Sequence, residues 1–158
     1  MTWAISGAGT RADLASDMAE AAELFVDIAR RHSGVDWLDY SGDSVRRLDG
    51  LISSWWPPHP PRDDYESMVL VIGAYIGCVL CRDTGAVWVV DDGRQEPAVE
   101  IPGLGRAFPV SRVARRCEIG EERGITPFFD EVRNYWLSGE EAEPASGRFG
   151  KLRRPFER

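Results

Sequence analysis

The chain has 158 residues, a mass of 17.6 kDa and a formal net charge of −7, with 43% hydrophobic and 28% charged residues. This length is enough for one folded domain with a buried core and too short for two ordinary domains. The acidic balance argues against a general nucleic-acid-binding protein, and three cysteines are too few for a disulfide framework.

The first helix is predicted over about residues 10–32, where apolar side chains recur at steps of three and four. Thr10 can cap this helix, and Gly34 can end it in a left-handed conformation. A second helix is predicted to begin at Ser41 and to end at the proline run Pro57–Pro61, which cannot continue a helix. Its apolar face carries Val45, Leu48, Ile52 and Trp55.

A third helix is predicted from Asp63 or Asp64 to about Arg82, and it contains the longest apolar run of the chain, residues 68–81. A buried strand is the alternative for residues 69–72, because β-branched side chains dominate there. Gly73 and Gly77 lie one helical turn apart. We therefore expect the first helix or the following hairpin to approach this helix closely.

The second half changes to a strand pattern at Ala86–Val90, followed by a turn with the hairpin dipeptide Asp92-Gly93 and a partner strand at Ala98–Ile101. A short third strand is predicted at Arg106–Val110 and one or two helical turns at Val110–Cys117. Thr126 is predicted to cap the last helix, with Pro127 at its first position, and this helix is predicted to reach about Leu137. The patterns together predict an α+β fold, with about five helices packed around a small antiparallel hairpin or three-stranded sheet.

The domain boundaries follow from composition. Residues 1–9 are predicted to be a flexible leader, residues 10–138 a single globular domain, and residues 139–158 a mobile tail that adds little stability. The last eleven residues carry five basic side chains and one acidic one, so an acidic body ends in a basic tail. A 14-residue apolar run is too short for a transmembrane helix, and residues 1–30 show no signal-peptide pattern. We therefore expect a cytoplasmic protein that does not bind a membrane.

Two short motifs suggest chemistry that their context does not support. The segment 7–12 matches the dinucleotide pattern G-x-G-x-x-A, but no alternating strands and helices follow it. Cys78 and Cys81 form a C-x-x-C motif near the end of an apolar helix, whereas redox motifs of this kind open a helix. We expect these thiols to pack as small buried hydrophobic groups.

Catalytic and metal-binding patterns are missing from the sequence. Cys117, His32 and His59 do not combine with the C-x-x-C motif in any zinc-binding spacing. The sequence also has no G-x-S-x-G elbow, no P-loop and no H-E-x-x-H motif. We therefore predict no cofactor, no metal and no catalytic residue.

Three stretches, taken in order, resemble a group of small bacterial proteins, common in actinobacteria, that carry only a domain-of-unknown-function label. They are residues 38–49 (LDYSGDSVRRLD), residues 73–82 (GAYIGCVLCR) with Trp88 behind them, and residues 108–120 (FPVSRVARRCEIG) before Phe128 and Phe129. The resemblance covers about residues 20–135. It implies the same layout of helices, hairpin and helices, and it implies no catalytic residue. This chain has Cys78 where those relatives have an acidic residue.

The sequence favours a non-catalytic protein of a regulatory or immunity type that binds another protein. Assembly into a homo-oligomer is also compatible with the sequence. The candidate contact residues are Trp55 and Trp56, since tryptophan is enriched at binding hot spots, and the cluster Arg112, Arg115 and Arg116. Tryptophans that cap their own core and arginines that pair locally are the alternatives. The alternative function is an enzyme or small-molecule-binding protein whose site is assembled from Asp39, Tyr40, Arg82 and Arg116.

Overall fold

The computed structural model describes residues 10–138 and shows an α+β fold of helices and a three-stranded antiparallel sheet. The predicted leader and the predicted basic tail lie outside the described residues. In chain order the elements are α1 (Arg11–Ser33), α2 (Gly42–Arg46), α3 (Leu48–Trp55), α4 (Arg62–Thr84), β1 (Val87–Asp91), β2 (Glu96–Ile101), β3 (Gly105–Ala107), α5 (Pro109–Ile119) and α6 (Ile125–Ser138), with a 3₁₀ turn at Glu121–Arg123.

The ends of α1 follow from local hydrogen bonding, as the sequence predicts. Thr10 and Asp13 form a capping box, in which each side chain accepts a hydrogen bond from the other residue's backbone N–H. Gly34 ends the helix with φ 63°, a left-handed conformation that glycine adopts without strain.

Helix α4 is the centre of the core, with α1 and α5 packed along it and the sheet near its C-terminal end. Its side chains Ile72, Tyr75, Ile76 and Leu80 are fully buried. The helix prediction is therefore confirmed, and the strand alternative for residues 69–72 is wrong. With 23 residues, α4 is long and apolar enough to cross a membrane, but most of it is buried inside the chain, as in the core helix of a soluble protein.

The two glycines of α4 mark close contacts, and the expectation of a close approach is confirmed. A Cβ atom on Gly77 would lie 2.1 Å from Cζ2 of Trp88 in β1. A Cβ on Gly73 would lie 2.5 Å from the Cα of Val110. The hairpin is thus one partner, as expected, but the second is α5 and not α1.

The sheet has the order β1-β2-β3, with Val87 opposite Glu100 and Val99 opposite Ala107. The hairpin turn spans residues 92–95 and is longer than the dipeptide Asp92-Gly93 predicts, and its positive φ falls on Gln95. The third strand is shorter than predicted and ends at Ala107, since Pro109 already begins α5. That helix runs to Ile119, beyond the one or two turns that the sequence predicts.

The described residues contain six α-helices, because the second predicted helix is broken into α2 and α3 at Arg47. The start of α6 also differs from the prediction that Thr126 caps it. The carboxylate of Asp49, in α3, accepts hydrogen bonds at 2.9 Å from the backbone N–H groups of Ile125 and Thr126. The same carboxylate pairs with Arg116 at 2.9 Å, so one side chain joins α3, α5 and α6.

Candidate functional site

An open cleft of about 510 Å³ lies between α1, the last turns of α4 and the start of β1. Helix α1 contributes the small residues Ala12, Ala15 and Ala19, which are three and four positions apart and therefore share one face. The other walls carry Tyr40, Cys78, Cys81, Arg82 and Trp88, with Arg11 and Glu23 at the two ends of the α1 stripe. The lining is thus mainly apolar, with a few polar groups.

Tyr40 is held in a strained backbone conformation at the wall of this cleft. Its φ is 63°, in the left-handed region that a bulky residue rarely adopts. The backbone N–H of Tyr40 donates a hydrogen bond of 2.8 Å to the hydroxyl of the fully buried Tyr75. That hydroxyl also lies 2.6 Å from Oγ of Ser44, which is buried as well. The core therefore fixes the Tyr40 backbone from behind.

The Tyr40 side chain is fixed from the solvent side as well. Its hydroxyl donates a hydrogen bond of 2.6 Å to Oε1 of Glu23. The guanidinium of Arg82 lies 4.2 Å from the centre of the Tyr40 ring, a cation–π contact. Burial, together with the Glu23 carboxylate, raises the pKa of Tyr40 well above its ordinary range, so the phenol remains a hydrogen-bond donor.

The two thiols of the cleft are protonated at neutral pH. Burial raises the pKa of Cys81 to about 12. Burial also raises the pKa of Cys78, although the Trp88 indole N–H and the Arg82 charge oppose this shift. Protonated thiols are poor nucleophiles and poor metal ligands, which agrees with the expectation that Cys78 and Cys81 pack as hydrophobic groups, although both are half-buried and not fully buried.

The raised pKa of Cys81 makes stability depend on alkaline pH. The unfolded thiol ionises near pH 9.0 and the folded one near 12, so its stabilising contribution is complete below pH 9 and is lost as the pH rises toward 12. We expect the free energy of unfolding of the parent to fall by about 1–2 kcal/mol more than that of Cys81→Ala between pH 8 and 10.5. Urea unfolding at both pH values measures this difference. An equal loss of unfolding free energy in the parent and in Cys81→Ala would contradict this prediction. As a control, Ser16→Ala, at an exposed position, should lose as much as the parent.

The structure brings together two of the four residues of the predicted small-molecule site. Tyr40 and Arg82 meet in the cleft, whereas Asp39 is exposed and accepts hydrogen bonds from Ser41. Those hydrogen bonds lower the pKa of the Asp39 carboxyl. Arg116 lies outside this cleft, and its guanidinium pairs with Asp49.

Sequence reasoning missed Glu23, Trp88 and the alanine face of α1 as parts of the cleft. The spacing of Ala12, Ala15 and Ala19 is visible in the sequence. It indicates a cleft only when the residues packed opposite this face of α1 are also known. Trp88 is 4% exposed, and its wall position depends on the space that Gly77 leaves.

A second concave region, which we call the proline groove, has a volume of about 520 Å³ and includes Trp56 and Arg116. Its walls are the segment Pro57–Pro60 and the end of α5, with Glu121 and Glu122 at the rim. Trp56 is half-buried and donates its indole N–H to the carbonyl of Asp64 at 3.1 Å. Trp55 donates to Oγ of Ser33 at 2.6 Å, and both tryptophans pack against the core.

The three predicted contact arginines do not form one surface. Arg115 is exposed, but Arg112 is half-buried with its guanidinium 5.0 Å from the centre of the Phe128 ring. Burial lowers the pKa of Arg112. Arg116 is 6% exposed and is held by Asp49 and by Oγ of Ser53 at 2.7 Å. Of the three, only Arg115 is free to meet a partner over its whole side chain.

Neither a metal site nor a dinucleotide site is formed by the described residues. Within residues 10–138, no three His, Cys, Asp or Glu side chains lie close enough to hold a metal ion. Gly7 and Gly9 lie outside this range. At the start of α1, the Asp13 carboxylate already accepts hydrogen bonds from the backbone N–H and the hydroxyl of Thr10. The antiparallel sheet also differs from the parallel sheet that a dinucleotide fold requires.

Comparison of the chain with protein-family models, with curated proteins and with solved structures finds no match. The resemblance to the small actinobacterial proteins therefore stays a prediction.

Proposed function

We propose that the chain is a cytosolic, non-catalytic protein that binds a small molecule in the cleft between α1, α4 and β1. The observation that carries this proposal is Tyr40, whose strained backbone and whose ring are both fixed at the wall of the cleft. Strain of this kind costs about 1–3 kcal/mol and persists where the surrounding structure enforces it, often at ligand sites.

The size and lining of the cleft support a small organic ligand. Small-molecule sites commonly have volumes of about 300–1,000 Å³, with mainly apolar walls and a few fixed polar groups. The cleft has about 510 Å³, and its walls are alanines, cysteines and the Trp88 ring. Its fixed polar groups are Tyr40 and Glu23, which are hydrogen-bonded to each other.

The protonation of the cleft residues supports binding and not nucleophilic catalysis. Cys78 and Cys81 both have raised pKa values and are therefore neutral thiols. The raised pKa of Tyr40 keeps its phenol protonated, and Glu23 already accepts that proton's hydrogen bond. No histidine lines the cleft in the part of the chain that the structure describes.

The proposal is tested by filling the cleft from its exposed helical wall. Ala15 lines the cleft and Ser16 is its exposed neighbour on α1 outside the lining, so Ala15→Trp blocks the cleft while Ser16→Trp adds the same bulk elsewhere. A thermal-shift screen of small apolar compounds should find ligands that stabilise the parent and Ser16→Trp but not Ala15→Trp. A ligand at 100 times its Kd stabilises the fold by about 2.7 kcal/mol, which such a screen detects.

Two results would count against cleft binding. One is a set of ligands that stabilise Ala15→Trp as much as the parent, which would place their site elsewhere. The other is a screen without any stabilising compound, although both variants unfold cooperatively like the parent.

Binding to another protein, of a regulatory or immunity type, is the second candidate function, and the proline groove favours it. The exposed segment Pro57–Pro58–His59 forms one wall, and the rim glutamates suit a basic side chain of a partner. His59 has a positive φ of 55°, so this segment is also held in an unusual conformation. The two candidate functions are distinguished by which amide resonances shift on binding. A protein in the groove shifts those around Trp56 and Ile119, whereas a small molecule in the cleft shifts those around Tyr40 and Cys81.

A further inference from the structure

We infer that the ligand of the cleft is a small molecule with an apolar body and a single anionic group, such as a carboxylate. This inference rests on the proposed function and adds the chemical class of the ligand. It follows from the hydrogen-bonding groups of the cleft that have no partner, because nearly all of them are donors.

The two arginines of the cleft have no carboxylate partner. Arg82 stacks on the Tyr40 ring, and neither Arg82 nor Arg11 forms an ion pair with any residue between 10 and 138. Both side chains are exposed at the mouth of the cleft. Several other arginines of residues 10–138 form no ion pair either, and Arg11 and Arg82 differ from them in lining the apolar cleft; these others are Arg30, Arg47, Arg112, Arg115 and Arg123. A charged guanidinium beside an apolar surface is well suited to bind a carboxylate.

The single carboxylate of the lining is already engaged. Glu23 accepts the hydroxyl hydrogen of Tyr40 at 2.6 Å, and the two arginines outnumber it, so the charged side chains of the lining are two positive and one negative. An anionic ligand meets a favourable local charge, although the whole chain is acidic. A cationic ligand could reach the second oxygen of Glu23, but it would meet the repulsion of two arginines.

A further donor lies in the wall itself. The indole N–H of Trp88 is buried and has no oxygen or nitrogen acceptor among the described residues. Its neighbour is the Cys78 sulfur, which is a weak acceptor. Sulfur is a poor acceptor, so an oxygen supplied by a ligand would be a stronger partner for this buried N–H than the chain provides.

The rest of the lining defines the apolar body of the ligand. The alanine face of α1 and the neutral thiols of Cys78 and Cys81 offer no charge and no strong hydrogen-bonding group. The Trp88 ring adds a large aromatic surface beside them. A short alkyl chain or an aromatic ring can bury its surface there while its anionic end reaches Arg82 or Arg11.

The test compares three probes with the same eight-carbon chain: octanoate, octan-1-ol and octylammonium. Isothermal titration calorimetry, with amide chemical shifts to locate each probe, is carried out on the parent, Arg82→Gln and Arg115→Gln. Arg115 is exposed and lies outside the cleft, so it is the matched control. We expect octanoate to bind most tightly, to lose about tenfold or more in affinity in Arg82→Gln, and to be unchanged in Arg115→Gln. The affinity of octan-1-ol should be the same in all three proteins.

The contrary outcomes separate this inference from the proposed function. If octan-1-ol or octylammonium binds the cleft as tightly as octanoate, and Ala15→Trp abolishes that binding, the anionic class is wrong while cleft binding holds. If Arg82→Gln and an Arg11→Gln, Arg82→Gln double variant both bind octanoate as tightly as the parent does, the arginines do not hold the anion, and the inference is overturned. If none of the three probes binds, the inference also fails, and the compound screen alone decides the proposed function.

Discussion

The Gly77→Ala variant is expected to be less stable than the parent by about 1–3 kcal/mol, although alanine is the better helix former. The added Cβ would lie 2.1 Å and 2.2 Å from ring carbons of Trp88, which is only 4% exposed. A buried indole ring cannot move aside without disturbing its own neighbours. Gly77→Leu should cost more, about 3 kcal/mol or above, and chemical denaturation measures both values.

Gly50 provides the matched control for this prediction. It lies inside α3, and no atom lies within 4 Å of a Cβ built on it. Gly50→Ala should therefore stabilise the fold by about 0.5–1 kcal/mol through helix propensity alone. If Gly77→Ala also stabilised the chain, the packing of β1 against α4 would be wrong, and with it the Trp88 wall of the cleft.

The second large effect is expected at Asp49, which joins three helices through one carboxylate. Asp49→Ala removes the acceptor of two backbone N–H groups at the start of α6 and leaves the guanidinium of Arg116 buried without its charge partner. Breaking one half of a buried ion pair costs about 3–5 kcal/mol, and the lost helix cap adds about 1 kcal/mol. Urea unfolding of Asp49→Ala should show a loss of at least about 3 kcal/mol.

The Asp49→Ala, Arg116→Met double variant separates the two causes. It removes the unpaired charge and should recover part of the loss, because an apolar side chain of similar length can remain buried. The remaining loss is then the contribution of the helix cap. If Asp49→Ala unfolds within about 1 kcal/mol of the parent, the carboxylate does not hold α6 in place.

Local patterns in the sequence predict most of the helices and the hairpin. The capping box of Thr10 and Asp13 and the apolar steps of α1 are local signals, and the structure follows them. The pair Gly73 and Gly77 likewise predicts a close contact on α4. The local pattern cannot predict which element packs against each glycine. The structure places α5, and not α1, against Gly73.

The errors arise where a distant residue decides the local structure. Thr126 looks like a helix cap, but Asp49 takes that role from 77 residues away and Thr126 donates its hydroxyl to the carbonyl of Arg46. Arg116 looks like a surface cation but is buried against the same Asp49. Long-range pairs of this kind leave no trace in residue spacing.

The cleft could be predicted only in part for the same reason. Tyr40 and Arg82 were identifiable as polar residues near the ends of predicted elements, and they do meet at 4.2 Å. Glu23 and Trp88 join them because α1 and β1 both pack on α4, a fact of tertiary structure. The strain at Tyr40 is likewise visible only in the backbone, where Tyr75 holds its N–H from the core.

The most direct test of cleft binding is to titrate ¹⁵N-labelled protein with octanoate and with hits of the compound screen. The amide resonances of the protein are monitored at each step. If the cleft is the ligand site, saturable shifts appear at Tyr40, Cys81 and Val87, and they disappear in Ala15→Trp but not in Ser16→Trp. Shifts confined to Trp56 and Ile119 in the proline groove, or shifts that persist in Ala15→Trp, would contradict the assignment of the cleft as the binding site.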